Sequence, residues 1–332
     1  MSTFYMYSDG TSIESNVDIL KPAWERSNFS KSEIISNLIS VQIGQEVTKI
    51  EDGTFNQCKS LRKVDLSKNL LIIGDSAFCN CESLEELKLP KHLKRIGSSA
   101  FSGCSKITEL NIPSGVTHIG ECAFQLCEKI KEVLISETVK SIGKNAFSGC
   151  FDLQNINVLK GNPFFSSLDG VLFDKELSVL ISFCGGRTGS YQIPGNVQNI
   201  GEFAFSACSV EQLVISNNVI TIKNNAFEEC SALKDITFSK RLKHIQNNAF
   251  NLCESLTSVN LPDGVCEIGA SAFSGCRNLE NIFMPSSITK MGEQILSDCP
   301  NLKKVVIPVQ FQGDEEYLGL EEDQIKKIEW VK

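Results

Sequence analysis

Phenylalanine recurs at a fixed interval along this chain. Phe55, Phe78, Phe101, Phe124 and Phe147 are each 23 residues apart, and Phe205, Phe227, Phe250 and Phe273 continue the series with one step of 22. Three residues after each stands a cysteine: Cys58, Cys81, Cys104, Cys127, Cys150, Cys208, Cys230, Cys253 and Cys276. Cys299 follows Leu296 in the same way. A period of this length repeats one supersecondary unit that buries its apolar face only against its neighbours, so the chain is expected to form a stack of coils. Function is then to be sought on a surface rather than in an enclosed pocket.

The unit is read from Leu84, Leu87, Leu89, Pro90, Leu93, Ile96, Gly97, Ala100, Phe101 and Cys104. With Leu84 as offset 0, the apolar slots fall at offsets 0, 3, 5, 9, 12, 17 and 20. Offsets 3 and 5 alternate as a strand does, with residues 87 and 89 inward and 86 and 88 outward. Pro90, repeated as Pro113, Pro194, Pro262, Pro285 and Pro308, ends that strand because it has no N–H for the ladder. Leu93 and Ile96 mark a second short extended piece. Ala-Phe-x-x-Cys predicts one helical turn or an irregular arc, since 23 residues leave no room for a helix of ordinary length. The cycle opening at Leu153 is interrupted, and its Pro-x-x-Val-x-x-Ile-Gly half returns only at Pro194, Val197, Ile200 and Gly201. Residues 161–165 read as a loop. Val171-Leu172-Phe173, a turn at Asp174-Lys175 and residues 177–183 read as a β-hairpin projecting from one side of the stack.

The pattern L-x-x-[IVL]-x-[IL]-P-x-x-V-x-x-I-G-x-x-A-F-x-x-C resembles the BspA-like (Treponema-type) leucine-rich repeat over residues 38 to 308. The interruption, Asn162-Pro163 through Asp169-Gly170-Val171-Leu172-Phe173 to Tyr191-Gln192-Ile193-Pro194, also resembles a variant of that repeat. The expected fold is a mainly β leucine-rich repeat solenoid of about ten 23-residue repeats, with a parallel strand stack, short arcs and one hairpin insertion. Residues 1–37 are expected to form an N-terminal cap, with Ala23-Trp24 and Ile34-Ile35 as its apolar residues. Residues 38–309 form the solenoid, with the hairpin at about 161–185. Residues 310–332 form a C-terminal cap, in which Tyr317, Leu318, Leu320, Ile325, Ile328 and Trp330 predict a short amphipathic helix. The resemblance implies a surface or secreted protein that adheres to host matrix or cell-surface proteins.

Thirty-two basic and 40 acidic residues give a net charge of −8, which argues against nucleic acid or an anionic membrane as partner. No run approaches the ~18 apolar residues of a membrane-spanning helix. The first ten residues lack the basic and apolar regions of a secretory signal, which favours an intracellular scaffold as the alternative. The ladder cysteines read as buried, reduced thiols, because identical side chains stacked in parallel keep their Cβ atoms further apart than a disulfide wants. Cys79, Cys122, Cys184 and Cys266 lie off the ladder and are the candidates for reactivity. No Cys-x-x-Cys pair with histidine partners suggests zinc. Of the three histidines, His92, His118 and His244, none is expected beside a Ser or Cys nucleophile. No catalysis, cofactor or metal is expected.

The outward strand residues at offsets 2 and 4 remain. Parallel stacking brings Glu86, Glu109 and Glu132 side by side at offset 2, a candidate patch for a basic partner. Leu134, Val214, Phe283 and Val306 are apolar at offset 4 and are candidate anchors for a protein. The hairpin, with Phe164, Phe165 and Leu172, is a second candidate surface.

Overall fold

A computed structural model describes residues 3–8, 12–15, 19–20 and 37–332. Two compact units, Met1–Lys175 and Glu176–Lys332, divide the chain. In the first, the offset 2–5 segments pair as parallel strands, including Leu38–Gln42 with Lys63–Asp65, Leu110–Asn111 with Glu132–Ile135, and Glu132–Ile135 in turn with Asn155–Val158. The second strands carry Ile50, Ile73, Ile96, Ile119 and Ile142 in one parallel register. The unit Glu176–Lys332 repeats both rows, with Leu213 opposite Ile236 in the first and Ile200, Ile222, Ile245 and Ile268 aligned in the second. All of these inward residues but the half-buried Ile142 and Ile236 are buried in the core, because side-chain alternation turns every second position inward.

The Ala-Phe-x-x-Cys segment is an irregular arc, and the helical alternative is not what forms. Alternate amides serve different partners. Ser99, Phe101 and Gly103 donate to Glu121, Ala123 and Gln125 in the next coil, while Ala100, Ser102 and Cys104 donate three residues back. Two positions per arc turn left-handed, as at Ser99 (φ 53°) with Gly103 (φ 74°) and Cys122 (φ 54°) with Leu126 (φ 57°). A non-glycine residue there costs roughly 1–2 kcal/mol, which the inter-coil hydrogen bonds and core burial offset.

Inside the arcs the Phe rings stack, with centroids 5.0 to 5.9 Å apart from Phe55 through Phe147. A second stack runs through Phe205, Phe227, Phe250 and Phe273, and it begins one ring earlier, at Phe183. Each ladder thiol after the first in its unit donates to the Phe carbonyl of the coil before it. Examples are Cys104 to Phe78 at 3.1 Å and Cys253 to Phe227 at 3.2 Å. A small residue with one weak donor therefore fits both the space and the acceptor.

The interruption differs in part from expectation. Residues 161–164 are the expected loop, but Phe165 opens a strand: Phe165–Leu168 pairs antiparallel with Val171–Asp174 around Asp169 (φ 49°) and Gly170 (φ 74°), a primed two-residue turn. This hairpin lies along Asn155–Val158, where Ile156 N–H donates to the Gly170 carbonyl at 2.7 Å. Asn162 is fully buried and fully satisfied, donating to the Ser136 and Val139 carbonyls and accepting from the amides of Phe164 and Phe165. In the second unit, Val179–Ser182 pairs in parallel with Asn199–Ile200 and Gly189–Gln192 with Val210–Val214. Residues 179–192 are therefore stack, not projection.

At the N-terminus, Thr3–Tyr7 pairs antiparallel with Leu38–Gln42 and with Ser12–Ser15, burying Tyr5 and Tyr7. Ala23-Trp24 and Ile34-Ile35 lie outside the described residues. The amphipathic helix expected after residue 310 breaks into short turns, the 3-10 turns Val309–Phe311 and Glu315–Leu318 and the α-turn Glu322–Ile325, followed by the strand Ile328–Val331 alongside Lys304–Pro308. Gln324 is buried and donates to the Cys299 carbonyl at 2.7 Å, satisfying the last arc.

Candidate protein-interaction face

The strand pleat places offsets 2 and 4 outward, and the structure exposes Glu86, Glu109 and Glu132 there. Glu86 is 3.5 Å from Lys88, and Asn155 donates to Glu132 at 3.4 Å. Glu109 makes no ion pair among the described residues, and like charges one coil apart are held together by the core beneath them. A shallow depression of about 440 Å³ lies over Glu109, Asn111 and Glu132, with Lys131 at its side. Leu134, 39 % exposed, is next to Asn111 and Asn157 in the offset-4 row of the same unit. Val214 is 43 % exposed in the other unit.

Two candidates at the far end behave differently. Val306 is only 7 % exposed, so it is not a free anchor. Its strand is flanked by Asn281–Phe283 on one side and Ile328–Val331 on the other, and Phe283, its direct neighbour, is itself half-buried. The offset pattern stops at residue 308, and the segment 310–332, expected to fold back as a cap, does so beside Val306 as a paired strand.

Phe4 and Met6 are exposed apolar residues on the same face that the repeat pattern did not reveal. Phe4 pairs with Gln42 and Met6 with Ser40, so they extend the offset-4 and offset-2 rows of the first unit. They are 42 % and 49 % exposed and edge a depression of about 430 Å³ with Gln42 and Asp65. Their signal was the strict alternation Thr3-Phe4-Tyr5-Met6-Tyr7, which stands outside the 23-residue period. On the hairpin, Phe165 and Leu172 are buried and Phe164 is exposed.

None of the fourteen cysteines is joined in a disulfide. Burial pushes Cys58 and Cys230 up to about 12, and raises Cys81, Cys127 and Cys253 well above the ordinary thiol value. Cys184 is buried, whereas Cys79, Cys122 and Cys266 are half-buried. The expectation that no nucleophile adjoins a histidine fails at one place: Cys266 Sγ lies 4.0 Å from His244 Nδ1. Among the described residues no cluster is placed to hold a metal ion, and no helix is long and apolar enough to cross a membrane.

The BspA type leucine rich repeat region, in six copies, matches residues 27–154 and 182–318. The chain belongs to that family. No curated protein sequence matches this BspA-type chain. Among solved structures it is similar to a leucine rich cell surface protein from Faecalibacterium prausnitzii. That likeness has 27 % identity, covers 91 % of this chain and 92 % of that one, and has a TM-score of 0.65. A leucine-rich repeat protein from Eubacterium ventriosum shares the fold at 21 % identity, 92 % and 76 % coverage and a TM-score of 0.63. So does the pneumococcal vaccine antigen PcpA, at 20 % identity, 88 % and 72 % coverage and a TM-score of 0.61.

Proposed function

We propose that this BspA-type repeat protein is a non-enzymatic, cell-surface adhesin that binds a host matrix or cell-surface protein. The binding surface in this reading is the outward face of the first-strand stack in the unit Met1–Lys175. The observation that carries it is the placement of Phe4, Met6 and Leu134 on that face, in the rows that also hold Glu86, Glu109 and Glu132. Exposed apolar anchors amid charge are the ordinary make-up of a protein contact. Similarity to a leucine rich cell surface protein supports the location. The buried Phe165 and Leu172 support a structural role for the hairpin.

The test is capture of the purified protein by immobilised basement-membrane extract. Leu134→Glu and Phe4→Glu should each lower capture by about ten-fold, a loss of roughly 1.4 kcal/mol, with circular dichroism unchanged. Phe164→Glu should leave capture intact. Loss through Phe164→Glu alone would move the site to the hairpin. A second reading, an intracellular scaffold, is favoured by the fourteen free thiols, since reducing compartments preserve them. Biotinylation of intact cells separates the two.

A further inference from the structure

In the unit Glu176–Lys332 the second-strand row aligns Thr221, His244, Glu267 and Lys290 on successive coils. Cys266, one residue before Glu267, sits across the coil boundary from His244. Its Sγ is 4.0 Å from His244 Nδ1 and donates to the Lys243 carbonyl at 3.3 Å. The same Nδ1 is 3.3 Å from Glu267 Oε2, and Glu267 is held in turn by the Lys290 ammonium. Thiol and carboxylate thus meet at one imidazole nitrogen on the half-exposed surface, with a cation beyond the carboxylate. A thiol becomes a nucleophile when a base removes its proton and positive charge stabilises the thiolate. Cys79 and Cys122 have the same half-buried setting but no imidazole partner among the described contacts, and burial raises both.

We propose that Cys266 is the reactive surface thiol of this chain, with His244 as its proton acceptor, and that it forms mixed disulfides with small disulfides of the glutathione type. The thiol proton passes to the Nδ1 lone pair of His244, and the imidazolium so formed donates that N–H to the Glu267 carboxylate. The Cys266 sulfur attacks one sulfur of the disulfide, that S–S bond breaks, and the second sulfur leaves as a thiolate that takes the proton from His244. One protein thiol and one disulfide give one mixed disulfide and one free thiol, so no further oxidant enters.

The experiment incubates the intact native protein with oxidised glutathione and maps the adduct by peptide mass spectrometry over time. Cys266 should be modified about ten-fold faster than Cys79 or Cys122, and the buried ladder thiols should stay unmodified. His244→Gln should slow Cys266 by about ten-fold while leaving the buried thiols of the same unit, Cys230, Cys253 and Cys276, unmodified, which reports that the fold there is intact. Equal rates at the three half-buried thiols would overturn the proposal. So would a Cys266 rate that ignores His244→Gln.

Discussion

Cys230 shows how a single side chain is fixed by the stack. Its thiol is fully buried, donates to the Phe205 carbonyl at 2.8 Å, and is pushed up to about 12 by desolvation. Below about pH 9 the thiol is protonated in both folded and unfolded chains, so its contribution is complete. Between about 9 and about 12 only the unfolded chain ionises, and stability falls by roughly 1.4 kcal/mol per pH unit for each such thiol. Denaturant midpoints should therefore drop as pH rises from about 9 toward about 12, and Cys230→Ala should drop less steeply. An equal slope in the variant would mean that this thiol ionises freely in the folded protein. Phe101 is the apolar counterpart, fully buried between Phe78 and Phe124 at centroid separations of 5.2 and 5.5 Å. Phe101→Ala should cost ~3–5 kcal/mol, and an unchanged thermal midpoint would show that the slot is not packed.

At the scale of one coil on the next, backbone approach is the limiting geometry. A Cβ on Gly143 would collide with the Glu121 amide of the preceding coil, and backbone cannot move aside as a side chain can. Gly195, also in a turn, has nothing within 4 Å of such a Cβ and no left-handed φ. Gly143→Ala should destabilise by about 2 kcal/mol or more. Gly195→Ala should be neutral or slightly stabilising, because it restricts the unfolded chain. Equal effects in urea titrations would contradict the close-approach account. Coil order, strand placement and the Phe and Cys slots were legible in the sequence, because each is a local apolar choice repeated at fixed offset. Phe183 was not, since it follows Leu180 by three residues, whereas Phe101 follows Ile96 by five, and it lacks the Ala-Phe-x-x-Cys wording. The left-handed arc was also hidden, because Ser99, Cys122, Leu126 and Phe203 carry no sign of positive φ in their identity. Of the candidate face, the acidic row and Leu134 were readable from register alone. Phe4, Met6 and the burial of Val306 depended on strands outside the period, and the Cys266–His244 approach depended on adjacent offsets of different coils.

In each of the two units, order spreads through nearest-neighbour contacts, so damage should spread the same way. In the unit Met1–Lys175, Phe101→Ala should raise amide exchange first in the coils carrying Phe78 and Phe124, before the N-terminal strand Thr3–Tyr7. Uniform acceleration across the unit would argue for a single cooperative core. The stack rests above all on a ladder of reduced thiols donating to Phe carbonyls. Thiol titration tests it most directly, run without reductant, first on the native protein and then in denaturant. The native protein should react quickly only at Cys79, Cys122 and Cys266, and the denatured protein should yield all fourteen thiols. A denatured count far below fourteen, with the missing cysteines recovered as disulfides between neighbouring coils, would contradict it.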